Sequence, residues 1–427
     1  MRAFRTPTIA RALGHRNYRL FFSGQIVSLT GSWITRIATS WLVYRLTGSP
    51  LLLGLVGFAG QIPTLVMAPF TGVLVDRWNR HRILVITQTL SMLQSLALAV
   101  LALAHVITVT EILALQLAQG MINAFDTPAR QAFVIQMVDD RNDLSNAIAL
   151  NSTMVNASRI VGPAIGGMLI AAFGEGWCFL VDAVSYFAVI VSLIAMRVSR
   201  ERPPRASTHL LEELRDGFRY VSGSAPMRGV LLLLALVSTM GMPYMVLMPA
   251  VASKILHGGP HTLGFLMTAA GVGALCGALY LASRTSVVGL GRVIAVAACT
   301  FGAGIVAFSL SRALWLSLLL LPLAGAGLMV TMASTNTLLQ TLVEERMRGR
   351  VMAFYAMSFQ GTAPIGSLIA GFVAERIGVP ATLMLGGTAC VLGGGAFALW
   401  LPRFRAHVRP IYIARGILPP TGPAPAA

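Results

Sequence analysis

Twelve long apolar segments dominate this sequence and most constrain how the chain can fold. They span residues 20–44, 51–75, 82–105, 109–127, 146–172 and 178–197, then 227–252, 262–283, 291–310, 314–338, 351–374 and 381–401. Each can cross a hydrocarbon core of about 30 Å as a helix that rises about 1.5 Å per residue. A membrane β-barrel would instead show alternating segments of about ten residues. The pattern therefore predicts an all-α membrane protein of twelve transmembrane helices.

The low content of charged residues supports the same fold class. Only 11% of the 427 residues are charged, whereas soluble domains carry about 25%. The formal net charge of +17 raises nucleic-acid binding as an alternative, but the arginines lie in loops between apolar segments and form no continuous basic face. Cytoplasmic loops of membrane proteins accumulate Lys and Arg. The charge therefore predicts a lipid bilayer as the partner, and no nucleic acid.

The arginines also predict the orientation and the domain boundaries. Loops on one side hold arginine clusters, and the other side holds only Arg45, Lys254, Arg312 and Arg376. By the positive-inside rule, we expect a multi-pass protein of the cell inner (cytoplasmic) membrane with both termini in the cytoplasm. The expected parts are a cytoplasmic N-terminal tail 1–19, an N-terminal six-helix half 20–197, a cytoplasmic linker 198–226, a C-terminal six-helix half 227–402 and a disordered cytoplasmic tail 403–427.

The two expected halves also share a short repeat. Residues 162–173 and 361–372 align without gaps, with seven identical pairs. They lie on the fifth and eleventh apolar segments, which hold corresponding places in a six-plus-six arrangement. A parallel repeat with a binding site near the midplane is a known transporter plan. Chance similarity between two helices rich in small residues is the alternative.

A glycine, an acid and paired basic residues follow the second apolar segment. In order they are Gly72, Asp76, Arg77 and Arg80. This run resembles the signature of the major facilitator superfamily between its second and third helices, and the resemblance implies two six-helix pseudo-symmetric halves. A carboxylate such as Asp76 is stabilised at a helix N-terminus. With Arg348 and Arg350 opposite, we expect a cytoplasmic gate. An ordinary positively charged loop is the alternative.

The fifth segment carries Gly162, Pro163, Gly166 and Gly167. This run resembles the exporter signature of the same superfamily, although Ala149 and Ser158 stand where that signature has glycines. Proline removes a helix hydrogen bond and glycine lets another helix approach closely, so an ordinary small-residue interface is the alternative. Together with residues 128–131 and 348–352, the pattern resembles the drug:proton antiporter-3 branch, which includes enterobactin-exporter-like and macrolide-efflux-like proteins.

Two positions linked to proton coupling in that superfamily differ here. Many antiporters carry an arginine three residues before a Gln-Gly pair on the fourth segment, and this chain has Gln116 there. Members of the branch often carry an acid after a glycine on the first segment, and here Ser32 follows Gly31. The remaining candidates for proton coupling are Glu111, Asp126 and Asp182.

Arg36 and Arg159 place two cations inside apolar segments. Ionisable groups at this depth are costly and are functional candidates. We expect both to line a central cavity and hold an anionic or hydrogen-bonding substrate, with Glu111 or Asp182 as resting partners. Structural ion pairing is the alternative, as is snorkelling for Arg36. Further cavity candidates are Asn123, Asn156, Asn336 and Gln360, for each of which an interhelical hydrogen bond is the alternative.

The predicted function is secondary active export of a small molecule, such as a drug or siderophore, by alternating access coupled to protons. Uptake or facilitated transport of a small solute or lipid-like compound is the alternative. The sequence shows no cluster of metal ligands, no nucleophile with a base and no phosphate-binding loop of the ATPase type. We therefore expect no enzyme activity, no cofactor and no metal.

Overall fold

The structure is a computed structural model that describes residues 8–138, 143–197, 210–284 and 286–419. Within these ranges the chain is helical and has no β-strand. The helices are α1 Arg16–Thr47, α2 Pro50–Ala59, α3 Ile62–Arg77, α4 Arg80–Leu103, α5 Val109–Val134, α6 Leu144–Phe173, α7 Glu175–Ile194, α8 Leu210–Gly223, α9 Ala225–Leu236, α10 Tyr244–Ala250, α11 Pro260–Ala282, α12 Leu290–Leu310, α13 Leu314–Leu342, α14 Arg348–Ala356, α15 Ala363–Ile377 and α16 Val379–Ala414.

Within the described residues, nine helical segments are long and apolar enough to cross a membrane. Seven are single helices, and two are composites, Pro50–Met67 and Ala225–Ile255. The other three predicted segments are helical as well, as α1, α5 and the pair α14–α15. The all-α membrane class is therefore observed, and the count of twelve spans stays a prediction.

Three predicted spans are interrupted. The second divides into α2 and α3 at Gly60 and Gln61, where Pro63 follows within the first turn of α3. The seventh and eleventh contain π-helical turns, at 237–241, 251–255 and 357–361. Proline cannot donate a backbone hydrogen bond, and π-helical turns occur often at functional sites. Of these irregular stretches, the break at Gly60 and Gln61 and the turn at 357–361 contribute to the cavity described below.

Glycine corners reverse the chain between neighbouring helices. Gly174, between α6 and α7, and Gly378, between α15 and α16, both have φ 86°. This backbone conformation is open to glycine and strained for other residues. The two corners follow the repeated sequences 162–173 and 361–372, so the repeat extends from the helices into the turns that end them.

The last helix continues beyond the predicted end of the twelfth span. We expected a disordered tail from residue 403, and this is wrong for residues 403–414, which extend α16. Phe404, Val408 and Tyr412 are buried there. The Tyr412 hydroxyl donates a hydrogen bond to the Val287 carbonyl at 3.3 Å. Buried apolar side chains explain why this stretch is helical, and residues 420–427 lie outside the described range.

Two close crossings join the helices that precede the linker, α1–α7, to those that follow it, α9–α16. We call the end of the bundle where α1 begins the proximal end and the other the distal end. At the distal end, a Cβ added at Gly54 would lie 3.0 Å from Gly371 Cα, and one added at Gly167 would lie 3.0 Å from Gly264 Cα. Only glycine allows backbones to approach this closely. The two groups of helices are therefore packed tightly together at the distal end.

Candidate functional site

A cavity of about 1000 Å³ lies between the two groups of helices. Its wall on one side comes from α1, α2, α3, α4, α5 and α7, and on the other from α10, α11, α14, α15 and the π-helical turn at 357–361. It extends from Leu53 and Ser367, near the Gly54–Gly371 crossing, to Arg130 and Ala353 toward the proximal end. A site of this size, enclosed by several helices, suits a small-molecule ligand.

The wall formed by α1–α7 is polar and charged. It contains the charged residues Arg36, Arg130 and Asp182. It also contains a set of amide side chains, Gln61, Gln94, Gln116, Gln119 and Asn123. The Gln119 amide donates to Ser91 Oγ and Asn123 Oδ1, both at 3.2 Å. Hydrogen bonds of this kind hold the amides in fixed orientations toward the cavity.

The wall formed by α10–α15 is mostly apolar. Among its described residues none is charged, and Gln360 and Ser367 are the polar ones. The larger side chains of this wall are Met242, Met245, Val246, Met267, Met357 and Phe359. Methionine is flexible and polarizable, so it adapts its shape to different apolar ligands. The cavity therefore has one face suited to polar groups and one suited to apolar groups.

Arg36 and Arg159 lie beside the same aromatic ring. The Arg36 Cζ is 4.9 Å from the centroid of Trp33, and the Arg159 Cζ is 5.9 Å from it. Trp33 and Arg36 line the cavity, whereas Arg159 is not one of the lining residues. Arg159 Nε is buried and has no hydrogen-bond partner. The expected resting partners are absent here, because among the described residues neither guanidinium has a carboxylate within salt-bridge distance.

Asp182 of α7 is the buried carboxylate of this cavity. Its side chain is held by hydroxyl groups, since Ser95 Oγ donates to Oδ2 at 2.8 Å and Ser185 Oγ to Oδ1 at 3.4 Å. A Cβ at Gly31 would lie 2.8 Å from Asp182 Oδ1, so the glycine leaves room for the carboxylate against α1. Ser32 Oγ lies 3.2 Å from the Tyr186 hydroxyl one turn further along α7.

The other two candidates for proton coupling have different environments. Asp126 accepts hydrogen bonds from Thr87 and Gln88, each at 2.8 Å, and pairs with Arg130 at 3.4 Å. It therefore fixes α5 against α4. Glu111 is partly exposed and accepts from the Thr108 backbone N–H and hydroxyl, both at 2.5 Å. This is a cap at the start of α5.

Of the four uncharged candidates, the structure brings two to the cavity. Asn123 and Gln360 line it, and Asn156 and Asn336 do not. Asn156 donates to the Ser152 carbonyl, and Asn336 accepts from Gln340 on its own helix. Trp33 and the methionines could not be identified as cavity residues from the sequence, because cavity-facing and lipid-facing apolar residues have the same composition in a membrane helix.

The gate candidates lie at the proximal ends of their helices. Gly72, Asp76 and Arg77 are on the last turns of α3, and their side chains lie outside the described part of the structure. Arg80 is the first residue of α4, and Arg348 is the first residue of α14.

Arg350 contacts the linker helix α8. Its Nη1 donates to Asp216 Oδ2 at 3.1 Å. The rings of Phe218 and Phe354 lie 6.3 Å apart between the same two helices. The linker helix therefore rests on α14, next to the proposed gate, and the role of the gate residues stays a prediction.

The glycines of the fifth-span motif pack α6 against two other helices. A Cβ at Gly162 would lie 2.5 Å from Trp33 Cβ, and one at Gly166 would lie 3.2 Å from Ile34 Cα, so both face α1. Gly167 faces α11, at the distal crossing with Gly264. The carbonyl of Pro163, inside α6, would be 2.7 Å from a Cβ at Gly264. The motif thus positions Trp33 and forms one of the two crossings.

The sequence model for the transmembrane secretion effector family matches residues 8–410. The chain belongs to this family. It is therefore a multi-pass membrane transporter of the major facilitator superfamily. The resemblance of the sequence motifs to efflux-like members of that superfamily is confirmed.

Individual relatives agree with this family. The chain is 25% identical over 379 residues to the staphyloferrin A transporter of Staphylococcus aureus (strain NCTC 8325 / PS 47), an alignment that covers 87% of this chain and 94% of that protein. It is 28% identical over 384 residues to the multidrug efflux pump Tap of Mycolicibacterium fortuitum, covering 88% and 93%. The structure of the peptide transporter POT matches with a TM-score of 0.74 at 11% identity, covering 92% of this chain and 95% of its own. That last likeness shows the fold alone.

Proposed function

We propose that this protein exports a small molecule across the cytoplasmic membrane by alternating access, with twelve spans in two six-helix halves, 20–197 and 227–402. The observation that carries the proposal is the cavity, because its two walls come from the two groups of helices. A site shared in this way opens to one side or the other when the halves rock. The efflux pump among the relatives and the description of the family favour export over uptake.

The packing of the helices supports a state that is closed at the distal end and open at the proximal end. The glycine crossings hold the distal end together. At the proximal end, Ser152 and Thr153 of α6 and Thr337 and Gln340 of α13 are exposed. Polar groups facing lipid are unfavourable, so we place these side chains in a water-filled cleft. With the termini in the cytoplasm, this cleft receives substrate from inside the cell.

Asp182 is the residue we assign to proton coupling. A buried carboxylate without a cation partner is costly to ionise, and the described contacts of Asp182 are with hydroxyls. The ionisable groups nearest along its own helix are Cys178 and Tyr186, the facing part of α4 contributes Ser95, and Arg36 lines the same cavity. Loss of a proton from Asp182 would place a negative charge beside the cationic part of the cavity. Proton binding and substrate binding would therefore be coupled.

The first experiment measures direction. Inside-out membrane vesicles from cells without their own efflux pumps are supplied with dyes, macrolides and catechol siderophores, with and without a protonophore. We expect accumulation of at least one compound class inside the vesicles, reversed by the protonophore. Accumulation only in right-side-out vesicles would establish uptake and refute export.

A second experiment tests the proton carrier. Asp182→Asn should leave downhill movement of the substrate intact and abolish accumulation driven by a pH gradient. Glu111→Gln is the matched control, because that carboxylate is not among the residues that line the cavity and caps a helix, and the variant should accumulate substrate normally. Normal gradient-driven accumulation by the Asp182→Asn protein would exclude this residue as the carrier.

A further inference from the structure

We infer that the substrate is an amphipathic anion, whose acidic group binds Arg36 beside Trp33, with the Arg159 guanidinium near the same ring, and whose apolar body lies against the methionines of the opposite wall. This inference rests on the proposed export function and adds the chemical class of the substrate. It follows from the positive charges of the two arginines, from the apolar character of the opposite wall and from the classes of ligand that each wall disfavours.

The first argument is that, among the described residues, these two arginines lack a counter-charge. Some arginines elsewhere have one, since Arg45 donates two hydrogen bonds to Glu175, at 2.8 and 3.1 Å, and Arg130 pairs with Asp126. Arg36 and Arg159 instead share the ring of Trp33. Two unpaired cations within a membrane protein are unfavourable. A bound anion removes that cost, so the arrangement of the two guanidiniums fits an anionic ligand.

Asp182 does not fill this role. It lines the same cavity, but the hydroxyls of Ser95 and Ser185 donate to its two oxygens, and no guanidinium lies within salt-bridge distance in the described residues. Arg159 also keeps Nε buried without a partner. A buried donor left unpaired is costly. The positive charge without a carboxylate partner therefore belongs to the arginines, and Arg36 on the cavity wall suits a carboxylate, sulfonate or phenolate group.

The second argument is the apolar wall. Met242 lies in the turn between α9 and α10, Met245 lies on α10 and Met267 lies on α11. Met357 starts the π-helical turn before α15. A small hydrophilic anion would leave these side chains in contact with water. Flexible methionine-rich surfaces instead accept apolar bodies of varied shape. The ligand that satisfies both walls has an acidic end and an apolar body.

The same arrangement disfavours other classes. An organic cation would face Arg36 and lie near the charge of Arg159, and like charges brought together without water are strongly repelled. A neutral apolar compound would bind the methionine wall and leave both guanidiniums without a counter-charge. Discrimination by repulsion and by unpaired groups is a common source of specificity. The two walls together therefore select an anion over a cation or a neutral molecule of equal size.

The test uses three probes, two of which share one carbon skeleton. 1-Anilinonaphthalene-8-sulfonate is an amphipathic anion, and N-phenyl-1-naphthylamine is the same skeleton without the sulfonate. Ethidium, the third probe, is a cation. Energised inside-out vesicles with and without the protein are assayed for uptake by rapid filtration. We expect saturable uptake of the sulfonate, little uptake of ethidium, and weak competition by the neutral amine.

Variants locate the acidic group. Arg36→Gln should raise the KM for the sulfonate about tenfold or more, since a hydrogen bond to a charged group is lost, and Arg159→Gln should have a smaller effect, because Arg159 does not line the cavity. Inhibition by the neutral amine should be unchanged in both. Arg312→Gln, at an exposed arginine outside the cavity, is the control and should behave as the unaltered protein.

The outcomes separate the two proposals. Transport of ethidium or the neutral amine without the sulfonate would leave export standing and overturn the anion assignment. Sulfonate uptake with an unchanged KM in both arginine variants would also overturn it. If none of the three probes moves, and none of the wider panel is exported, the proposed function itself fails.

Discussion

The distal crossing between α2 and α15 offers a direct test of alternating access, through the change Gly54→Ala. In the present state a Cβ at this position would lie 2.5 Å from the Ser367 carbonyl oxygen and 3.0 Å from Gly371 Cα. Both are backbone atoms, which cannot turn away as a flexible side chain can. Overpacking of this kind typically costs about 1–3 kcal/mol. Since the clash exists only when the distal end is closed, the ratio of distal-closed to distal-open molecules should fall about 5- to 150-fold.

The assay is a distance measurement by pulsed electron paramagnetic resonance. Spin labels are attached at Leu46 and Ile377, exposed positions at the distal ends of α1 and α15, in a protein whose four cysteines have been replaced. Gly54→Ala should move the distance distribution toward longer values and slow transport. Gly395→Ala is the matched control, because an added Cβ there meets nothing within 4 Å. A distribution and a transport rate identical to those of the control would refute the reasoning.

Two further changes test features at the ends of the bundle. Glu375 accepts hydrogen bonds from Ser49 Oγ at 2.8 Å and from the Leu51 N–H at 3.1 Å. Glu375→Gln should therefore weaken the distal closure and broaden the same distance distribution. An unaltered distribution would mean that these bonds do not hold the distal end closed. Phe404→Ala removes a ring that is 3% exposed, a change that costs about 3–5 kcal/mol in a packed core, and should lower the Tm measured by thermal unfolding in detergent. Leu399→Ala, at a side chain that is 87% exposed, should leave the Tm nearly unchanged, and equal shifts in the two variants would show that the α16 extension is not packed as described.

Much of the helical pattern could be predicted from the sequence, because lipid requires every spanning backbone to satisfy its own hydrogen bonds. Most of the apolar segments therefore coincide with helices to within a few residues, although α5 and α16 continue further at their C-terminal ends. The interruptions could not be placed in the same way. Gly60 and Gln61 divide α2 from α3 within a predicted span that is mostly apolar. The position of such a break could not be predicted, because it depends on which neighbouring groups bind the backbone N–H and C=O groups that the break leaves free.

The candidate site was predicted in part. Arg36 stands out because charge is rare in apolar segments, and the structure places it on the cavity wall. The extension of α16 was missed because Phe404 and Tyr412 are spaced among arginines, and whether such a stretch packs depends on the loops beside it. Trp33 was missed because its role comes from two arginines on different helices, which no sequence window contains.

The division of the cavity into a charged wall and a methionine wall has a consequence for how such a transporter diversifies. In the proposed binding mode, α1–α7 recognise the acidic group and α10–α15 recognise the apolar body. The two are joined along glycine crossings that tolerate little change. Mutation can therefore reshape the methionines, and with them the range of compounds accepted, without disturbing the charge selection. Chimaeras that exchange the C-terminal helices between relatives with compatible crossings would inherit the size preference of one parent and the charge preference of the other.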